Sequence, residues 1–211
     1  MKQLILTTLT FLIYSHIAFA NGWEIGGICY IFNTAANTAS VTYRGTSSSG
    51  SYSGSVTIPE TVTFEETEYH VVAIGERAFY NCDNLQSVVL PNSITSIGSY
   101  AFAYSDNLST INLPNSVISI GIGAFSGCKG ISSPLFNDKI FAKMPINYVG
   151  EYSVNDGITT INDSAFEGCT QLNSVTLPNS VTDIGILAFS GCSSLSAIFW
   201  VSRFFQCICL N

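Results

Sequence analysis

The dipeptide Ala-Phe recurs along the chain at nearly constant spacing, and this recurrence limits the possible folds more than any other feature. Its copies begin at positions 78, 101, 124, 165 and 188, so the spacings are 23, 23, 41 and 23 residues. Leu-Pro-Asn-Ser recurs in register with it from positions 90, 113 and 177, and Gly-Cys from positions 127, 168 and 191. A fixed period of about 20–50 residues is typical of a repeat array in which successive units stack.

Within one unit, the residue types predict a short strand followed by a turn. Val88 and Leu90 alternate with outward positions, which is the period of a strand with one buried face. Pro91 ends this strand because it has no N–H to donate, and the Asn-Ser pair that follows favours a turn. Gly98 has glycine equivalents in the other units except one, where Asn162 takes its place. Glycine with asparagine as its substitute predicts a positive φ at this position.

The Ala-Phe pair predicts a short helical or 3-10 segment on the side opposite the strand, with the aromatic ring inside the coil. Stacked units would place strand beside strand and ring above ring. We therefore predict an α/β repeat solenoid, mostly β by content, with a parallel sheet on one side and helical turns on the other. Helical repeats and propellers have longer periods than this chain. The predicted ladder contains Phe79, Phe102, Phe125, Phe166 and Phe189.

The consensus L-x-x-V-x-L-P-N-S-V-T-x-I-G-x-x-A-F-x-G-C resembles the leucine-rich repeat of BspA-type bacterial surface proteins. Residues 173–192 match it almost throughout, and the resemblance covers about residues 55–199. It implies a leucine-rich-repeat fold and a non-catalytic role in protein binding or adhesion outside the cell. A carbohydrate-binding or scaffold module, or an inert fragment of a longer surface adhesin, are the alternatives.

The first 20 residues have the pattern of a secretory signal peptide. Lys2 supplies a positive start, the stretch from Leu4 to Phe19 is mainly apolar, and residues 18–20 form an A-x-A cleavage signal. No later run of about 18 apolar residues occurs, so we expect no transmembrane segment after cleavage. These features predict a secreted or cell-surface protein.

The remaining sequence divides into a cap, the repeats and a tail. Residues 21–54 predict an N-terminal β-hairpin cap followed by a Ser/Gly loop, and residues 55–199 predict the leucine-rich repeats. The 41-residue gap equals 23 plus 18, so residues 136–154 form a short irregular unit. Residues 200–211 depart from the repeat and are apolar where a solenoid end needs a polar cap. We interpret this tail as a truncation, with a hydrophobic cap or dimer contact as the alternative.

Composition and motifs argue against several classes of function. The formal charge is −7 with only 7 basic residues, which disfavours nucleic acids and anionic membranes as partners. No nucleophile motif or phosphate loop occurs, and His70 lies in an alternating strand pattern. We therefore predict that the chain is not an enzyme and uses no cofactor. Cys207 and Cys209 lack further ligands for zinc, so no metal is predicted.

Most of the cysteines share one position of the repeat. Cys82, Cys128, Cys169 and Cys192 occupy it in four units, and Ser105 occupies it in the remaining unit. A position that accepts either Cys or Ser predicts a small buried site with a local hydrogen bond. Stacked side chains that point the same way suit disulfide geometry poorly. We therefore predict buried free thiols at this position.

The candidate binding face consists of the outward positions of the predicted strands. These short side chains would line a concave sheet, the kind of surface that repeat proteins use for recognition. The expected partner is an extracellular protein or glycan. The alternative is that these residues are simply suited to a solvent-facing strand. The face contains Ser87, Val89, Thr110, Asn112, Ser153, Ser174 and Thr176.

Overall fold

The protein is described by a computed structural model for residues 17–19, 22–45, 49–50, 52–201 and 207–209. These residues form strands and turns, and no helix occurs among them. The strands in chain order are β1 (Ile17–Phe19), β2 (Gly22–Ile25), β3 (Ile28–Asn33), β4 (Thr38–Thr42), β5 (Gly54–Thr57), β6 (Thr61–Phe64), β7 (Thr67–Ile74), β8 (Leu85–Val89), β9 (Ser96–Ile97), β10 (Thr110–Ile111), β11 (Ser119–Ile120), β12 (Leu135–Phe136), β13 (Ile140–Lys143), β14 (Gly150–Ser153), β15 (Thr160–Ile161), β16 (Leu172–Leu177), β17 (Asp183–Ile184), β18 (Ala197–Trp200) and β19 (Cys207–Cys209).

The N-terminal part is an antiparallel meander that leads into the repeats. Strands β1 to β4 pair antiparallel in order, and β4 then pairs parallel with β7. The hairpin of β3 and β4 lies where alternation in the sequence predicts it. A second hairpin, β6 and β7, turns at Glu65 and Glu66, both of which have positive φ. The meander covers the first edge of the array, as a cap must.

Each repeat contributes one strand to each of two parallel sheets. The front sheet contains the Leu-x-x-Val strands, β5, β8 and β10 in its first section and β14, β16 and β18 in its second. The side sheet contains the strands that follow the Pro-Asn-Ser turn, β7, β9 and β11 and then β13, β15 and β17. In the front sheet Val56, Val88 and Ile111 are register neighbours, so their side chains form one inward row. The predicted solenoid is therefore confirmed, with a second sheet that the sequence did not indicate.

The segment around each Ala-Phe pair is a run of turns and not the predicted helical or 3-10 segment. Its main hydrogen bonds join successive units: the Phe79 N–H donates to the Ala101 carbonyl at 2.7 Å, and the Phe102 N–H to Ala124 at 2.8 Å. Residues on both sides of the pair, such as Tyr100 (φ 55) and Tyr104 (φ 60), have positive φ. Left-handed residues at this spacing interrupt a right-handed helix, so the segment pairs sideways instead.

The conserved glycine of each unit lacks the predicted positive φ, which was wrong for Gly98 and also for Asn162. A Cβ built on Gly98 would lie 2.6 Å from the Glu76 backbone nitrogen and 2.8 Å from the Gly75 carbonyl carbon. Glycine is needed here because the backbones of adjacent units approach too closely for a side chain. The left-handed positions occur two and six residues later in the unit.

The phenylalanine rings of the first three regular units form a stacked column. The Phe79 and Phe102 centroids are 5.0 Å apart with 2° between the planes, and those of Phe102 and Phe125 are 5.3 Å apart with 4°. Tyr52 packs against Phe79 at 4.7 Å and covers the N-terminal end of the column. This arrangement confirms the predicted ladder for the first half of the array.

A second column contains Phe141, Phe166 and Phe189. Phe141 and Phe166 lie 4.8 Å apart with 2° between the planes, and Phe166 and Phe189 lie 4.9 Å apart with 14°. Phe141 belongs to the short unit, which has no Ala-Phe pair, and it fills the column from strand β13. The single predicted ladder is thus two ladders, and the buried apolar residues form two separate clusters around them.

Both sheets are interrupted at the short unit. In the front sheet Pro134 stands 23 residues after Ile111, so the next strand position has no N–H for the ladder. Asn137 connects the two halves instead: its Nδ2 donates to the carbonyls of Pro114 (3.1 Å) and Val117 (2.9 Å). Its Oδ1 accepts from the N–H groups of Lys139 and Ile140 at 3.0 and 2.8 Å. All the polar atoms of this buried side chain are therefore satisfied.

Candidate functional site

The predicted face lies on the front sheet in two outward rows. Ser87 and Thr110 are register neighbours in the first section, and Ser153 and Thr176 are neighbours in the second. Val89 lies two residues along β8 from Ser87 and is 51% exposed. Alternation along each strand places these side chains on the face opposite the core.

Two of the predicted residues offer little to a ligand. The Asn112 side chain is engaged by its neighbour, since its Oδ1 accepts from the Leu90 N–H at 2.7 Å and its Nδ2 donates to the Leu90 carbonyl at 2.8 Å. It therefore extends the sheet where the strand backbone ends. Ser174 is only 8% exposed. The accessible part of the predicted face consists of Ser87, Val89, Thr110, Ser153 and Thr176.

The rows contain further members that the sequence pattern did not identify. Ser55 aligns with Ser87, and Glu151 aligns with Ser174. Phe199 aligns with Thr176 and is 39% exposed. Counting outward from the inward residue of every strand, including the atypical last one, would have found them. The face is also divided, because β10 and β14 belong to different sheets.

The shared Cys/Ser position forms the predicted local hydrogen bond. The Ser105 hydroxyl donates to the Phe79 carbonyl at 2.6 Å, and the thiols of Cys128 and Cys192 donate to the carbonyls of Phe102 and Phe166 at 2.9 and 3.0 Å. The five described cysteines are free thiols, and Cys207 and Cys209 have no described side chains. Burial raises the pKa of the Cys128 thiol to about 12, so it stays protonated and unreactive.

Lys143 is buried between the two halves of the array. Its ammonium donates to the Ser164 carbonyl at 3.0 Å and reaches the Glu167 carbonyl at 3.5 Å. Burial lowers the pKa of Lys143, while the nearby Glu167 carboxylate acts in the opposite direction. Because its side chain is only 1% exposed, it serves the packing of the junction and is out of reach of a substrate.

The described residues were also compared with the geometry that catalysis, metal binding or membrane insertion would need. His70 is exposed on β7, as the alternating pattern predicts. Within the described ranges no group of three His, Cys, Asp or Glu side chains is arranged to hold a metal ion. The same ranges contain no helix of the length and apolarity that a bilayer crossing requires.

Solved structures of bacterial leucine-rich proteins resemble this fold. A leucine-rich cell surface protein from Faecalibacterium prausnitzii aligns with a TM-score of 0.59 and 26% identity, over 85% of this chain and 54% of that one. This chain therefore spans about half the length of that protein. A leucine-rich repeat protein from T. pallidum aligns with a TM-score of 0.51 and 19% identity, over 80% of this chain and 87% of that one. The second likeness supports the fold alone.

Comparison with curated proteins found no match. Comparison with family patterns found six copies of the BspA type leucine rich repeat region, in matches to residues 48–153 and 136–207. These matches cover more than half of the sequence and coincide with the repeats seen in the structure. The chain belongs to the BspA-type leucine-rich repeat family.

Proposed function

We propose that the chain is a non-catalytic leucine-rich-repeat protein that acts at the cell surface or after secretion and binds another protein. Family membership and the likeness to a cell surface protein of F. prausnitzii support this role. The proposal also includes removal of residues 1–20 as a signal peptide. N-terminal sequencing of the exported protein tests that step, and a start at Met1 would contradict it.

The observation that carries the proposal is the outward face of the front sheet. Apolar Val89 and Phe199 are exposed among short hydroxyl side chains there, a mixture typical of protein–protein contacts. Rigid parallel strands hold these side chains at fixed spacing, so little conformational entropy is lost on binding. A protein partner fits this surface better than a glycan, because none of the face residues is a flat exposed Tyr or Trp.

The test is binding of the purified protein to a panel of extracellular matrix proteins and to a glycan array. The front-face variant carries Thr110→Lys and Thr176→Lys, which place long charged side chains across both sections. The matched control carries Thr95→Lys and Thr182→Lys, two exposed threonines beside the side sheet. We expect the front-face variant alone to lose binding. Equal binding by both variants would remove the front sheet from consideration, and binding to glycans alone would contradict a protein partner.

A further inference from the structure

Four side chains of the first two repeats form a connected surface cluster, here named the tyrosine–arginine patch: Arg77, Tyr80, Tyr100 and Tyr104. The Arg77 guanidinium lies 5.5 Å from the centre of the Tyr100 ring and 5.9 Å from that of Tyr80. Tyr80 and Tyr104 meet edge to face at 5.7 Å. Tyr104 is 48% exposed, and the Arg77 side chain is 47% exposed. The patch lies on the turn side of the array, away from the front sheet.

The next unit holds two of these rings in place. A Cβ on Gly123 would lie 2.8 Å from Tyr100 Cε1, and a Cβ on Gly127 would lie 2.6 Å from Tyr104 Cδ1. The rings therefore rest on glycine backbone and have little freedom to move. Rigid tyrosines and a guanidinium held by ring faces are the side chains most enriched in binding hot spots.

The backbone of the patch is strained in a way that other units avoid. Arg77, Tyr100 and Tyr104 have φ of 52°, 55° and 60°, in the left-handed region that bulky side chains rarely adopt. The unit after them has Gly123 and Gly127 at the positions of Tyr100 and Tyr104, with φ of 60° and 70°. Glycine takes this conformation without strain. Keeping large aromatic side chains where the fold accepts glycine is the pattern expected of a functional surface.

We propose that the tyrosine–arginine patch is a binding site for a short extended peptide segment of a partner protein, rich in apolar and basic residues. Four side chains make a contact far smaller than the roughly 800 Å² per partner of a standard interface, so a segment fits better than a broad surface. Exposed Glu76 and Asp83 border the patch, and the chain carries a formal charge of −7. These charges favour lysine or arginine beside the apolar residues.

The inference rests on the proposed function, since it names the partner class and places a second contact on another surface. The test selects peptides from a phage-displayed library of short random sequences on the immobilised full chain. The strongest peptide is synthesised with a fluorescent label and titrated by anisotropy. The patch variants are Tyr100→Gly and Tyr104→Gly, which install the residue of the equivalent units. The control is the front-face variant Thr110→Lys.

The expected result separates binding from stability. Each patch variant weakens peptide binding about 30-fold, as loss of a hot-spot residue does, while Thr110→Lys binds like the wild type. The melting temperatures of the patch variants stay within about 3 °C of wild type, because relief of the left-handed strain offsets the lost ring contacts.

Several outcomes would overturn the proposal. Selection of no peptide, or equal peptide binding by the patch variants, would show that the patch is not a site. A fall of about 8 °C or more in the melting temperature would make the rings packing elements of the fold. Loss of glycan binding in the same variants on an array would show that the partner class is wrong. Peptide binding lost only in Thr110→Lys would remove the patch and leave the front-sheet proposal standing.

Discussion

Truncation of one ring inside a phenylalanine column should cost much more stability than truncation of a ring at its end. The Phe102 side chain is completely buried between two parallel rings at 5.0 and 5.3 Å. Phe102→Ala removes its burial and both stacking contacts, so we expect a loss of about 5 kcal/mol, the upper part of the range for Phe→Ala. Phe189 has one stacked neighbour, at 4.9 Å, and is partly exposed. We expect Phe189→Ala to cost about 2 kcal/mol.

Urea unfolding followed by circular dichroism gives the loss for each variant, and native-state amide exchange locates it. Phe102→Ala should speed exchange of the Phe79 amide, whose hydrogen bond to Ala101 lies in the same column. The Phe166 amide, in the second column, should keep its wild-type rate, because the two clusters are packed separately. Equal stability losses for both variants, or faster exchange in both columns, would refute the stacked-column reasoning.

Three further predictions concern single side chains or glycines. Asn137→Ala leaves buried donors and acceptors of both halves unpaired and should lower the free energy of unfolding by about 3–5 kcal/mol, measured in urea; an unchanged midpoint would contradict the bridging role. Burial raises the pKa of Cys128 from 9.0 to about 12, so between these values the unfolded thiol ionises first and wild-type stability falls by up to about 1.4 kcal/mol per pH unit. Cys128→Ser should remove that alkaline slope in urea titrations at pH 7 to 11, and parallel curves would refute it. Gly98→Ala should cost about 2–4 kcal/mol through backbone overlap, against about 1 kcal/mol for Gly26→Ala, whose left-handed site is open; thermal melts that rank them in reverse would restore the conformational explanation.

The sequence was sufficient to predict those features that depend on side-chain period and polarity. Val88 and Leu90 alternate in a strand, and the same pattern one period later forms the neighbouring strand in register. Phe79 and Phe102 occupy the same position of the unit, so stacking of units necessarily stacks their rings. The shared Cys/Ser position was also predictable, because a serine can replace a cysteine only where both satisfy one local acceptor.

Features that depend on how backbones approach one another could not be predicted from residue types. Gly98 and its equivalents suggested a positive φ, but close approach between units also demands glycine and leaves the same signature in one sequence. The true left-handed positions hold residues as large as Tyr100 and Tyr104, which propensity alone assigns elsewhere. At the candidate face, only the hydrogen bonds to Leu90 reveal that Asn112 is already engaged.

The short unit explains why one repeat array contains two ladders and a buried lysine. In a regular unit, N–H groups of the turn donate to carbonyls of the next turn, as Phe102 does to Ala124. The short unit has 18 residues in place of 23 and lacks that turn, so the carbonyls of the following turn lose their usual donors. The Met144 N–H reaches the Ala165 carbonyl at 2.7 Å, and the Lys143 ammonium reaches the Glu167 carbonyl at 3.5 Å. A lysine can be buried here because leaving those carbonyls unpaired would also cost free energy, so polar side chains take over the joining of the halves where the backbone ladder is interrupted.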